Sequence, residues 1–183
     1  MKGERNAQVY QVGPHLFGTS STIPHWKTEE LIPSLKPFLL SLDTYKEKEL
    51  KIAFSLAIQP ESETQEEDHA KYRSLIEFEW ESATCRISVI PDTDSYLITI
   101  LAPNDPKEYT AYFFYGFTKG ILFLHATEAD AFVLNNILMM IYAFNTACSD
   151  TVLMHASVIK KDGKGYLFQG KSGTGKSTHS GLW

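Results

Sequence analysis

The run Gly170-Lys171-Ser172-Gly173-Thr174-Gly175-Lys176-Ser177 fits the spacing GxxxxGK[ST], an octet that calls for a strand before it and a helix after it. Its glycines tolerate backbone angles and close approaches that a Cβ would block. Successive N–H groups in such a turn can curl into a concave anion nest. A helix beginning near Gly175 would add unpaired N–H groups and the positive end of its dipole. The candidate nucleotide-phosphate contacts are therefore Gly170, Ser172, Gly173, Thr174, Gly175, Lys176, Ser177 and Thr178. Lys176 is expected to reach the β- and γ-phosphates, and the Ser177 hydroxyl to ligate a bridging Mg²⁺, so ATP and Mg²⁺ are the implied ligands. Thr178 is expected to start the helix and face its own sheet. The competing account is a glycine-rich strand-to-helix turn with an exposed lysine.

The approach to the octet is strand-like. Residues 152–160 read as one strand, Asp162-Gly163 suits a tight hairpin turn, and 165–169 read as the returning strand. A hairpin thus delivers the loop after some 150 residues of other sequence, whereas most nucleotide triphosphatases place it early in a parallel sheet. The string Phe168-Gln169-Gly170-Lys171-Ser172-Gly173-Thr174-Gly175-Lys176-Ser177-Thr178-His179-Ser180 resembles the loop of the HPr kinase and phosphoenolpyruvate carboxykinase superfamily, with Lys171 and His179 departing from it. Leu153-Met154-His155-Ala156-Ser157-Val158 resembles the strand that opens the HPr-kinase catalytic domain.

The resemblance covers roughly residues 153–183 and implies an ATP-dependent phosphotransferase acting on a protein or small-molecule hydroxyl. The same families carry their Mg²⁺-binding and base aspartates on strands after the loop. Only seven residues follow Lys176 here, so no catalytic carboxylate is assigned, and the chain reads as a truncated piece that does not itself turn over ATP. Two alternatives stand beside this reading. One is a P-loop nucleotide hydrolase acting as a switch; the other is a non-catalytic β-rich interaction module with a vestigial loop. Asp92, Asp94, Asp105 and Asp130 read as turn or cap residues. His155 reads as a packed strand residue, and for His179 phosphate contact and solvent exposure weigh equally.

Upstream, apolar residues alternate at Leu50, Ile52, Phe54, Leu56 and Ile58, then at Ile76, Phe78 and Trp80, continuing through Cys85, Ile87 and Val89 to Pro91. Residues 61–69 form an acidic stretch without an apolar side chain and are expected to be a solvated loop. Further strands are expected at 96–102, 109–117 and 121–125, and a hairpin around Gly13-Pro14. Short strands at this spacing predict an antiparallel sheet. Thr127 is the expected N-cap, with Asp130 three residues on, of a helix running to about Cys148. Its apolar stretch, 131–144, is short for a bilayer and carries Asn135 and Asn136, so it reads as a core helix. Pro33 and Pro37 break any long helix after Thr28.

The fold class expected is α+β: an antiparallel β-rich N-terminal domain with a core helix (1–150), then the opening hairpin, P-loop and helix start of an HPr-kinase-like domain (151–183). Composition narrows the partners. A net charge of -5 supplies no basic field for nucleic acid, and no apolar leader follows the polar N-terminus. Cys85 and Cys148 lack metal-type spacing and read as reduced, buried residues of a cytoplasmic protein. Partners are expected to be nucleotide and an unidentified acceptor, with no nucleic acid and no membrane.

Overall fold

The computed structural model describes residues 6–41, 51–63, 71–80, 82–154, 156–171 and 173–182. Leu50, residues 64–69 of the acidic stretch, Glu81, His155, Ser172 and Trp183 lie outside them. The chain divides into two compact units, Met1–Thr151 and Val152–Trp183. The fold is α+β, with a large, mostly antiparallel sheet and few helices.

In the first unit β1 (Asn6–Val12) and β2 (His15–Ser21) form a hairpin through Gly13, whose φ of +56° suits glycine. A short α1 (Thr28–Leu31) and a 3-10 turn at Pro33–Phe38 follow, the prolines denying a longer helix its backbone donors. Next come β3 (Ile52–Pro60), β4 (Arg73–Trp80), β5 (Ala83–Val89), β6 (Tyr96–Leu101), β7 (Glu108–Phe114) and β8 (Lys119–Leu124). The helix α2 (Asp130–Thr146) closes the unit.

The eight strands lie in the order β1-β2-β3-β8-β7-β6-β5-β4. Strands β4 to β8 are an antiparallel meander joined by short turns; those after β5 fall where the spacing predicts them. The purely antiparallel expectation is corrected at β3, which pairs in parallel with both β2 and β8. Those contacts join segments far apart in sequence, and no local turn signals them. A second correction concerns 76–89. The alternation is interrupted between Trp80 and Ala83, where Ser82 takes φ +66° and the chain reverses into β5. The apolar phase shifts there, from even numbers at Ile76, Phe78 and Trp80 to odd at Cys85, Ile87 and Val89, as a two-residue turn requires.

One face of the sheet packs on α2. Val133, Leu134, Ile137, Leu138, Ile141 and Tyr142 are buried against Phe17, Phe54, Leu56, Ile58, Ile98 and Leu122, among others. Each such side chain contributes roughly 1.5–3 kcal/mol of apolar burial. By length and composition Asp130–Ser149 could cross a membrane, yet its inner face is core. Cys85 is buried, which pushes its thiol up to about 12, whereas Cys148 is exposed, against expectation. Cys148 sits in the 3-10 turn Ala147–Ser149 that ends the helix, where nothing covers it.

The second unit holds β9 (Ser157–Lys161), β10 (Lys164–Phe168) and α3 (Lys176–Ser180). The hairpin turns through Asp162 (φ +52°) and Gly163 (φ +74°), the pair expected for this turn. β9 begins at Ser157 rather than at residue 152. β10 pairs with β9 from Lys164 to Phe168, and among the described residues Val152, Leu153, Met154 and Ala156 pair with no strand.

Candidate functional site

The loop from Gly170 to Gly175 runs between β10 and α3, the strand-loop-helix order that the octet calls for. Gly173 and Gly175 stand at φ +80° and +79°, in the left-handed region, and a Cβ at either would meet nothing within 4 Å. The demand for glycine there comes from the backbone, and the space beside it is open. At Gly170 the reason differs: a Cβ would lie 2.8 Å from Thr174 Oγ1. That hydroxyl donates to Lys171 O at 2.8 Å, and Thr174 N donates to the same oxygen at 3.3 Å, which tightens the turn.

Lys176 folds back over the loop, its Nζ donating to Gly170 O at 2.9 Å and to Lys171 O at 3.0 Å. Gly175 is the N-cap of α3, its carbonyl accepting from His179 N at 2.8 Å. Ser180 anchors the helix on the hairpin, with Oγ 2.9 Å from Ser157 Oγ, and the His179 ring meets Phe168 edge-on at 4.8 Å between centroids. His179 thus rests partly on an aromatic ring. Lys176 rather than Thr178 begins the helix, and Thr178 is exposed instead of facing the sheet. In a helix this short the residue turned toward β9 is Ser180. With five residues α3 contributes only a small dipole, so attraction for an anion falls mainly to the loop amides and the lysines.

These residues fit a polyphosphate. The space beside Gly173 and Gly175 is open, Lys176 lies across the turn, and among the described residues neither the Ser177 nor the Thr178 hydroxyl is engaged by another side chain. Residues 152–183 carry five lysines against one acidic residue, Asp162, inside a chain of net charge -5. That segregation is a sequence signal which whole-chain charge conceals. For a divalent cation Ser177 is the candidate ligand; among the described residues no group of three or more His, Cys, Asp or Glu side chains could hold a metal.

The first unit holds a polar cluster that no sequence motif marks. Tyr109 OH lies 3.1 Å from Asp105 Oδ2, 2.6 Å from Thr127 Oγ1 and 3.1 Å from Asp130 Oδ1. Asp130 also accepts from His125 N and Ala126 N, and Thr127 Oγ1 accepts from Ala129 N. Thr127 is therefore not the N-cap: the helix starts at Asp130, whose carboxylate ties down the preceding turn. The Lys107 N–H, followed by the Thr127 and Tyr109 hydroxyls, holds Asp105 below the usual carboxylate range. His125 Nδ1 stands 2.6 Å from Glu61 Oε2, a close contact that is not aligned as a hydrogen bond. That contact, with Lys107 3.5 Å away, keeps Glu61 below its ordinary range. Glu61 is thus anchored, unlike the free loop residue expected. The cluster joins two loops, one strand and a helix start, which is structural work.

Comparison with protein-family models, with curated proteins and with solved structures gives no match.

Proposed function

We propose that this chain supplies the ATP phosphate-binding part of an HPr-kinase-like phosphotransferase whose acceptor is a hydroxyl on a protein or a small molecule, in a cytoplasmic setting. The observation that carries the reading is the loop itself: two left-handed glycines flanking Thr174, between a hairpin strand and a helix, with Lys176 lying across the turn. Loop amides would bind the phosphate oxygens and Lys176 would hold the γ-phosphate, exchanging carbonyl contacts for anionic ones. Ser177 would present its hydroxyl to Mg²⁺, which when bound neutralises charge developing on the transferred group. Gly173 and Gly175 leave room for that approach. No base is assigned among the described residues, so the chain is expected to bind and not to turn over.

Binding should be weak, in the high micromolar range or poorer, because ordering a short helix and loop opposes it. Calorimetric titration with Mg-ATP, repeated on Lys176→Ala, tests the reading. Saturable binding that the substitution abolishes supports it; equal heats for both chains, or none at millimolar nucleotide, would overturn it. Steady hydrolysis lost in Lys176→Ala would favour the nucleotide hydrolase instead.

A further inference from the structure

Strand β4 ends the eight-stranded sheet and pairs only with β5 among the described residues, so one side of its backbone ladder is open. A bulge at Ser74–Ile76 interrupts its start, and from Ile76 to Trp80 it is regular. On that stretch Ile76 is 53% exposed and Phe78 37%, an unusual amount of apolar surface for strand residues. They lie opposite Ile87 and Cys85 in the register, hence on the face that packs on α2. Phe78 meets Trp80 at 5.4 Å between ring centroids, and Trp80 stacks on Phe132 at 6.0 Å, so the exposed stripe continues directly into the core. The other face of the same stretch is acidic. Glu77 is held by Arg86 at 2.7 Å, while Glu79 stands opposite Thr84 with no cation beside it among the described residues.

We propose that this edge takes up an extended peptide segment in which apolar and basic residues alternate, adding a ninth strand beside β4. Backbone pairing would satisfy the open ladder, apolar residues would cover Ile76 and Phe78, and basic residues would face Glu77 and Glu79. A second copy of β4 is the wrong occupant. Antiparallel pairing centred on Phe78 sets Glu77 against Glu79, and centring on Glu77 sets it against itself, both like-charge contacts across a strand pair. The carboxylates therefore oppose self-association in these registers and favour a basic incoming strand.

The test uses the full chain and a fluorescent octapeptide of alternating Lys and Val, read by anisotropy. Saturable binding is expected, about fivefold weaker for Glu79→Lys, absent for the Glu-Val octapeptide, and absent for a Lys-Val peptide N-methylated at alternate residues, which keeps its charge but loses its donors. The N-methylated arm needs no change in the protein, so a misfolded variant cannot obscure the result. No binding of the Lys-Val peptide, or equal binding of its N-methylated form, would overturn the proposal. So would sedimentation as a dimer that Phe78→Lys dissolves.

Discussion

Replacing Tyr109 by phenylalanine removes one oxygen from the point where β7, the loop before it and the start of α2 are tied together. The ring remains, with its edge-to-face contact to His125 at 4.4 Å, so packing changes little. The hydrogen bonds are lost: Asp105 Oδ2 and Asp130 Oδ1 each lose a hydroxyl neighbour at 3.1 Å, and Thr127 loses one at 2.6 Å. A hydrogen bond to a charged group contributes about 1.5–3 kcal/mol net. Asp130 keeps the amides of His125 and Ala126, which places the loss in the lower half of that range, at about 2 kcal/mol. For a chain of this size that lowers the melting temperature by about 4–8 °C. The pH dependence carries a sign. Asp105 titrates below its unfolded value, so its contribution is present above roughly pH 4 and fades as pH falls through the folded value. The native chain should gain stability as pH rises from strongly acid to about 5, and Tyr109→Phe should gain less. Urea denaturation followed by circular dichroism at acid and neutral pH measures both quantities, with exposed Tyr115→Phe as the control. A loss under about 0.5 kcal/mol, or an unchanged pH slope, would refute the account of this cluster.

Gly120→Ala forces a Cβ to 2.3 Å from the Phe113 ring directly across the β7–β8 pair, and should cost about 3 kcal/mol of stability; a fall in melting temperature below about 2 °C would show that the ring moves aside freely. Gly175→Ala meets no atom but holds a left-handed angle, at about 1–2 kcal/mol, so Mg-ATP binding should weaken about five- to thirtyfold while Gly163→Ala, equally strained in the hairpin turn, leaves it unchanged. The purified chain should show no ATP turnover above background in a coupled assay, since under the proposed function its loop would supply phosphate contacts without an assigned base.

Much of this protein is local and so is visible in the order of its residues. The octet at 170–177 and the Asp162-Gly163 turn fall where local rules put them, because glycine angles and hairpin geometry depend on a few neighbours. The meander from β5 to β8 is equally legible, each of its turns being short, whereas the reversal between β4 and β5 reads in the sequence as one continuing alternation although the parity of the apolar residues shifts there. The parallel placement of β3 between β2 and β8 is not, since it joins strands distant in sequence and is decided by which apolar faces share the core. The start of α2 is a similar case. Thr127 has the composition of a cap, but Tyr109 and Asp105 arrive from another strand and its loop, engage its hydroxyl, and leave Asp130 to bind the turn. The exposed stripe on β4 has the same origin. Ile76 and Phe78 alternate as core residues do, and only the tertiary arrangement, one helix beneath eight strands, leaves them at an open edge.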